Sequence, residues 1–212
     1  PVAAPSANLS GRPSPTSARH VADDLDGRID VIIDGGNCEV GLESTVVKLD
    51  GETVTVLRPG AVTPEMLRTV CENVRLDAGI TEKLPDGTAP LAPGMKYRHY
   101  APRAVVYLIK DAGGEDFDRR AVDFLKEKLR ENPETGVLCF DEYAKELRGK
   151  NVFAFGKKRD GAAHAKRLFD LLRRFDDTDA PAIYAVADGT DGIGLALDNR
   201  MLKASGYHVL DL

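Results

Sequence analysis

From Val105 onward the sequence alternates between short apolar runs and helical periods, and this alternation constrains the fold more than any other feature. Val105–Ile109 and Gly136–Phe140 are apolar throughout, with helical spacing over Glu115–Arg130 between them and a short helix expected over Asp141–Leu147. A strand at Val152–Phe155, a helix at Ala162–Arg174, a strand at Ala182–Ala187 and a helix from Ile193 to Ala204 complete the series. Short runs without a polar face suit strands covered on both sides, and a helix between successive strands forces parallel crossovers. Residues 104–212 are therefore expected to form a doubly wound, mostly parallel α/β domain.

The first part of the chain follows a different pattern. Ser14-Pro15-Thr16-Ser17 precedes a helical run through Asp26, which Gly27 stops, and Ile29–Asp34 reads as a strand. Ser44–Asp50 and Glu52–Leu57 read as two strands joined at Asp50-Gly51, a hairpin signal. Thr63-Pro64-Glu65 then opens a short helix: a capping hydroxyl, a proline in the first turn and an acid near the positive end. Between Asp77 and Arg103 the periodicity disappears, interrupted by Pro85, Gly87, Pro90, Pro93, Gly94 and Pro102. A run this long without regular structure is usually a linker or a functional loop. Its centre, Lys96-Tyr97-Arg98-His99-Tyr100, is too basic and aromatic for a spacer. The expected organisation is a region over 1–76, a linker or lid over 77–103 and an α/β domain over 104–212.

Composition excludes several classes. A formal charge of -5 is wrong for a general nucleic-acid binder, so any phosphate contact must come from local basic clusters. Cys38, Cys71 and Cys139 are scattered and form no C-x-x-C pair, which fits a reducing cytoplasm better than a disulfide framework. The 4 histidines show no zinc-ligand spacing, so no metal ligands are assigned. No apolar stretch reaches the ~20 residues that span a bilayer.

Three short motifs hold chemistry-bearing side chains. Ser6-Ala7-Asn8-Leu9-Ser10-Gly11 gathers two hydroxyls, an amide and backbone donors ahead of a helix, as an anion site would, though an ordinary Ser/Asn turn has the same composition. In Gly35-Gly36-Asn37-Cys38-Glu39-Val40-Gly41-Leu42-Glu43-Ser44-Thr45-Val46-Val47 a glycine-rich loop enters a strand through an acid and two hydroxyls. The spacing is not G-x-S-x-G, so Ser44 suits a substrate-orienting hydroxyl rather than a nucleophile. Leu57-Arg58-Pro59-Gly60 places an arginine at a strand end, where α/β folds collect ligand groups and where a planar fork matches phosphate.

Taken together and in this order, these motifs resemble the second half of the YrdC-like domain of threonylcarbamoyl-AMP synthases. Pro93-Gly94-Met95-Lys96-Tyr97-Arg98-His99-Tyr100-Ala101-Pro102 resembles the connection in two-domain members of that family. Ala163-His164-Ala165-Lys166-Arg167-Leu168-Phe169 and Gly192-Ile193-Gly194-Leu195-Ala196-Leu197-Asp198-Asn199-Arg200 resemble their C-terminal domain. The resemblance implies a twisted open YrdC-like sheet over 1–76, and an activity converting L-threonine, bicarbonate and ATP, with Mg2+, to threonylcarbamoyl-AMP and pyrophosphate. It further implies a partner transferase that carries the group to tRNA. By the same resemblance Ser6 and Ser44 lie near threonine and its carbamoyl group, Asn8, Thr16, Arg58, Tyr97 and His99 contact ATP, and Lys96, Arg98 and Tyr100 belong to a lid. Family members also carry a Lys-x-Arg segment ahead of the Ser-Ala-Asn motif. The expectation is thus a part of the catalytic domain, inactive alone, with an exposed face or open sheet edge where on the order of 100 to 150 further residues belong.

Other signals are weaker. Gly189-Thr190-Asp191-Gly192-Ile193-Gly194 has the spacing G-x-x-G-x-G, which fits a tight strand-to-helix turn better than a dinucleotide fingerprint. Gly156-Lys157-Lys158 lacks the other parts of a P-loop. Arg167, Arg173 and Arg174 read as a solvated helix face. A non-catalytic nucleotide-sensing or RNA-binding module stays open as the alternative, as does a homodimer.

Overall fold

The computed structural model describes residues 1, 3–83, 91–92, 99–187, 189 and 191–212. Its first sheet has the order β1-β2-β3, with β1 at Val46–Asp50, β2 at Thr53–Arg58 and β3 at Asn73–Leu76. β1 and β2 are antiparallel, and Asp50 faces Thr53 across a two-residue turn in which Gly51 takes φ +57. β2 and β3 are parallel. Helix α1, Ala18–Leu25, starts where the Ser17 side chain accepts from the His20 amide. Helix α2, Pro64–Arg68, starts with Thr63 accepting from the Met66 amide and proline in the first turn. Both starts match the sequence signals.

The strand expected at Ile29–Asp34 is not there. A strand persists only when a neighbour completes its ladder, and no described segment pairs with this one. Val31 is 72% and Ile33 89% exposed. β1 likewise has one open edge among the described residues, with Leu49 71% exposed beside it and Val70 79% exposed beyond α2. An exposed apolar face is what the sequence resemblance led us to expect here.

The second sheet is parallel throughout, in the order β6-β5-β7-β4-β8. Its strands are β4 at Val105–Lys110, β5 at Gly136–Cys139, β6 at Val152–Ala154, β7 at Ala182–Val186 and β8 at Val209–Asp211. Helices α3 (Phe117–Glu131) and α4 (Asp141–Ala144) serve crossovers running one way along the sheet; α5 (Gly161–Arg174) and α6 (Ile193–Ser205) serve those running back. Right-handed crossovers therefore place the two pairs on opposite faces, and α5 packs against α6. Val106, Leu108, Ile109, Leu138 and Ile183, all at 1% exposure or less, form the centre of the core.

The α5/α6 layer is covered twice. Every residue from Leu195 to Ser205 is buried, because the parallel sheet lies on one side of α6 and the N-terminal region on the other. Leu195 packs with Val56 and Ile80, Asn199 Nδ2 donates to Ile80 O at 2.6 Å and Lys203 Nζ to Gly79 O at 3.3 Å. Leu42 and Tyr100 are built into the core of the parallel domain. Arg173 corrects the sequence reading: far from facing solvent, it is 7% exposed and reaches Asp24 and the Pro13 carbonyl. Its position on the covered face of α5 follows from a layer that helical periodicity alone does not reveal.

Candidate functional site

The β1–β2 hairpin brings two of the expected site residues together. Ser44 lies just before β1, Arg58 ends β2, and Val46 is registered opposite Arg58. Arg58 Nε and Nη2 donate to the Ser44 carbonyl at 3.1 and 3.0 Å, and Nη2 reaches Ser44 Oγ at 3.4 Å. Two segments can approach this closely because residue 60 is glycine: a Cβ there would lie 2.6 Å from both Glu43 O and Thr45 N. Ser44 faces solvent, beside a shallow groove lined by Thr45, Val47, Ala61, Val62 and Leu67.

Immediately behind Ser44, Glu43 anchors a buried network. Its carboxylate accepts from Arg200 Nε at 2.8 Å and from Ser14 Oγ at 2.5 Å. Burial would raise the Glu43 pKa, but the Arg200 charge and the hydrogen bonds from Ser14 and Arg200 outweigh it and hold the group below the usual carboxylate range. Arg200 is fully buried, and its other nitrogens donate to Asn199 Oδ1 at 2.8 Å and Pro59 O at 3.0 Å.

The end of the linker joins this network. Tyr100, expected in a lid, is 1% exposed, stacked on Phe169 at 5.0 Å and under the Arg200 guanidinium at 5.5 Å. Burial first, and then the Glu43 carboxylate, push its phenol up to about 12. It is an anchor in the core. His99 is half-buried; burial lowers its pKa, and the Arg200 and Arg58 charges add to that against the opposing pull of Glu43. Its Nδ1 is buried without a hydrogen-bond partner among the described residues. Lys96, Tyr97 and Arg98 lie outside the described residues.

The remaining expected residues lie in a separate loop system. Ser6 is exposed, and its carbonyl accepts from the Asn8 amide at 3.1 Å. Asn8 Nδ2 donates to Leu9 O at 2.8 Å, while its buried Oδ1 has no partner among the described residues. Thr16 is buried, with its Oγ1 3.3 Å from His20 Nδ1. It borders a groove shared with Asn37, Cys38, Lys166 and Arg167. No hydrogen bond or ion pair among the described residues links Ser6, Asn8 or Thr16 directly to Ser44 or Arg58.

Glu43, Asp24 and Arg200 were missed from sequence. No local signal marks them: Glu43 precedes two hydroxyls, Arg200 follows Asp198-Asn199, and their burial is decided by the packing of the two regions on each other. At the carboxyl ends of β4 and β7, Lys110, paired to Asp198 at 2.7 Å, borders a crevice of about 590 Å3 together with Asp111, Asp118 and Gly189. There Gly194 closes a tight turn: a Cβ on it would meet Gly189 O at 3.0 Å.

Comparison with known proteins places the chain. Residues 62–206 match the family described as threonylcarbamoyl-AMP synthase, C-terminal domain, and residues 1–60 the family described as telomere recombination. The chain is 39% identical to threonylcarbamoyl-AMP synthase of Bacillus subtilis, over 99% of its own length and 58% of the relative's. It is 42% identical to that of Pyrococcus abyssi, over 99% of its own length and 59% of the relative's. The P. abyssi Sua5 crystal structure complexed with L-threonine superposes with a TM-score of 0.84 at 38% identity, covering 98% of this chain and 58% of that one. The chain thus spans a little under three-fifths of the length of the relatives it matches. On the match over residues 62–206, this chain belongs to the threonylcarbamoyl-AMP synthase family.

Proposed function

We propose that the protein of which this chain forms part makes threonylcarbamoyl-AMP from L-threonine, bicarbonate and ATP, releasing pyrophosphate, in the threonylcarbamoyladenosine modification of tRNA. The observation that carries this reading is similarity over 99% of this chain to synthases of that name, in a chain whose Ser44 and Arg58 meet at the strand ends. Carboxylated threonine attacks the α-phosphate and pyrophosphate leaves, so the residues' task is positioning and charge stabilisation. Arg58 spends Nε and Nη2 on Ser44, and Nη1, with no hydrogen bond among the described residues, remains for a phosphate oxygen. Ser6 and Ser44 orient threonine and its carbamoyl group; Asn8, Thr16, Tyr97 and His99 contact the nucleotide. Asn8 Oδ1 and His99 Nδ1, buried and unpaired here, are the polar atoms with capacity to spare for such contacts. The low pKa of His99 keeps its imidazole neutral at pH 7, able to accept as well as donate. Mg2+ would accompany the triphosphate and would supply charge neutralisation on its oxygens. Lys96 and Arg98 belong to a lid over the nucleotide, whose fixed end is the buried Tyr100. A partner transferase then takes the product to tRNA in the cytoplasm.

The test uses a protein of the relatives' full length. Threonine-stimulated, bicarbonate-dependent pyrophosphate release is expected there and not from the 212-residue chain. Arg58→Lys should raise KM for ATP about tenfold, since a point charge cannot replace the fork. Release indifferent to threonine would refute the reading.

A further inference from the structure

We infer that Arg200 is a positioning residue for the Ser44–Arg58 pair, and that through it the C-terminal domain sets the geometry of the strand ends facing the substrates. The inference rests on the functional reading just given. It follows from which residues this one side chain holds. Glu43, accepting from Arg200 Nε at 2.8 Å, immediately precedes Ser44; Pro59, accepting from Nη2 at 3.0 Å, immediately follows Arg58. Arg58 in turn grips the Ser44 carbonyl. The result is a closed ring of Glu43, Ser44, Arg58, Pro59 and Arg200, whose only member from the parallel domain is Arg200.

Three features make the ring stiff. The arginine is fully buried and its third nitrogen is fixed by Asn199 Oδ1, so it has no freedom to reorient. Glu43 has no other cationic partner among the described ion pairs. Without Arg200 the carboxylate must turn towards water, dragging along the carbonyl of Ser44 that Arg58 uses as acceptor. The Tyr100 ring lies under the same guanidinium at 5.5 Å, so the end of the linker and the strand ends share one anchor. A separate charged contact between the domains, Arg173 with Asp24 and Pro13, holds no residue of the β1–β2 hairpin but reaches the Asn8 loop, because Asp24 also accepts from the Leu9 amide. The control for lost stability without lost positioning is therefore Leu125, fully buried in α3 on the far face of the parallel sheet.

The experiment compares Arg200→Met, Arg200→Lys and Leu125→Ala in the full-length enzyme. Arg200→Met should lower kcat for threonine-dependent pyrophosphate release at least tenfold. Arg200→Lys, able to reach Glu43 but not to span to Pro59, should recover part of the loss. Leu125→Ala, which touches none of these residues, should leave kcat within twofold even at equal loss of melting temperature. A second arm reads amide hydrogen exchange in the 212-residue chain, where Arg200→Met should speed exchange at Thr45, Val46 and Gly60 at least tenfold relative to β4 and β7. If Arg200→Met does not fold, Glu43→Gln replaces it in both arms. Unchanged kcat in Arg200→Met, or equal losses in Arg200→Met and Leu125→Ala at matched stability, would overturn the inference, as would unchanged exchange. If the unmutated enzyme shows no threonine dependence, the functional reading fails, and the exchange arm still decides whether Arg200 fixes the strand ends.

Discussion

Replacing Arg173 by methionine should destabilise the protein by about 3 kcal/mol, a value that follows from the groups it leaves behind. Its guanidinium donates to Pro13 O at 3.0 and 2.6 Å and to the Asp24 carboxylate at 3.1 and 2.7 Å. The Asp24 side chain is 0% and that of Arg173 6% exposed. Removing one partner of a buried pair costs ~3–5 kcal/mol when the other is stranded. Asp24 is not wholly stranded, since Arg12 remains at 2.6 Å and the Leu9 amide at 3.1 Å, which lowers that figure. The Pro13 carbonyl, left without its donors, adds back ~1–3 kcal/mol. For a chain of this size ~3 kcal/mol corresponds to a fall of roughly 6–12 °C in melting temperature. Urea denaturation followed by circular dichroism, in a double-mutant cycle with Asp24→Asn, measures both the loss and the coupling. Burial would raise the Asp24 pKa, yet the Arg173 hydrogen bond, the Leu9 amide and the two arginine charges hold it below the usual range. A carboxylate with a depressed folded-state pKa stabilises the fold above its unfolded value of ~3.9, and loses that contribution as pH falls through the folded value. The difference between the two proteins should therefore narrow below about pH 4. A loss under ~1 kcal/mol at pH 7, or a coupling near zero in the cycle, would refute the reasoning.

Two further outcomes are expected. Iodoacetamide should modify exposed Cys38 first and half-buried Cys71 next, while Cys139, its thiol pushed up to about 12 by burial and by Asp141, should react only on unfolding; peptide mapping after timed labelling reads the order, and early Cys139 modification would contradict it. Lys203, lowered to about 8 by burial and by Arg200, binds its proton less tightly in the folded than in the unfolded chain, so stability should rise between about pH 8 and pH 10; Lys203→Met should remove that slope in urea titrations, and an unchanged slope would assign it elsewhere.

The elements legible in the sequence were those specified by local chemistry. Thr63-Pro64-Glu65 begins a helix because cap, ring and charge all act within one turn. Asp50-Gly51 marks the hairpin, and the apolar runs at β4, β5 and β7 are buried as their composition requires. What escaped were elements specified at a distance. Asn73–Leu76 alternates polar and apolar residues over only four positions, too short a run to read alone, and becomes β3 because β2 offers a parallel ladder. Val209–Asp211 is a short edge strand with no pattern to read. Ile29–Asp34 failed in the opposite sense, having strand composition but no described neighbour to pair with. In the site, Ser44 and Arg58 were legible as strand-end ligand groups, whereas the Glu43–Arg200 link spans 157 positions and each charge sits among polar neighbours that conceal its burial.

That separation has a consequence for how the protein comes into being. Translation delivers Asp24 and Glu43 long before Arg173 and Arg200, which follow 149 and 157 residues later. At ordinary elongation rates of ~5–20 residues per second, Glu43 waits roughly 8–30 s for its counter-charge. Throughout that interval Val56 and Ile80 lack Leu195, and the hairpin's carboxylate has only the Ser14 hydroxyl as partner. The β1–β2 hairpin can form early from its own turn, but its docked geometry must be the last to settle, after α6 has left the ribosome. Nascent chains stalled before residue 193 should accordingly expose residues 42–60 to chaperones and proteases, and chains stalled well beyond residue 205 should not.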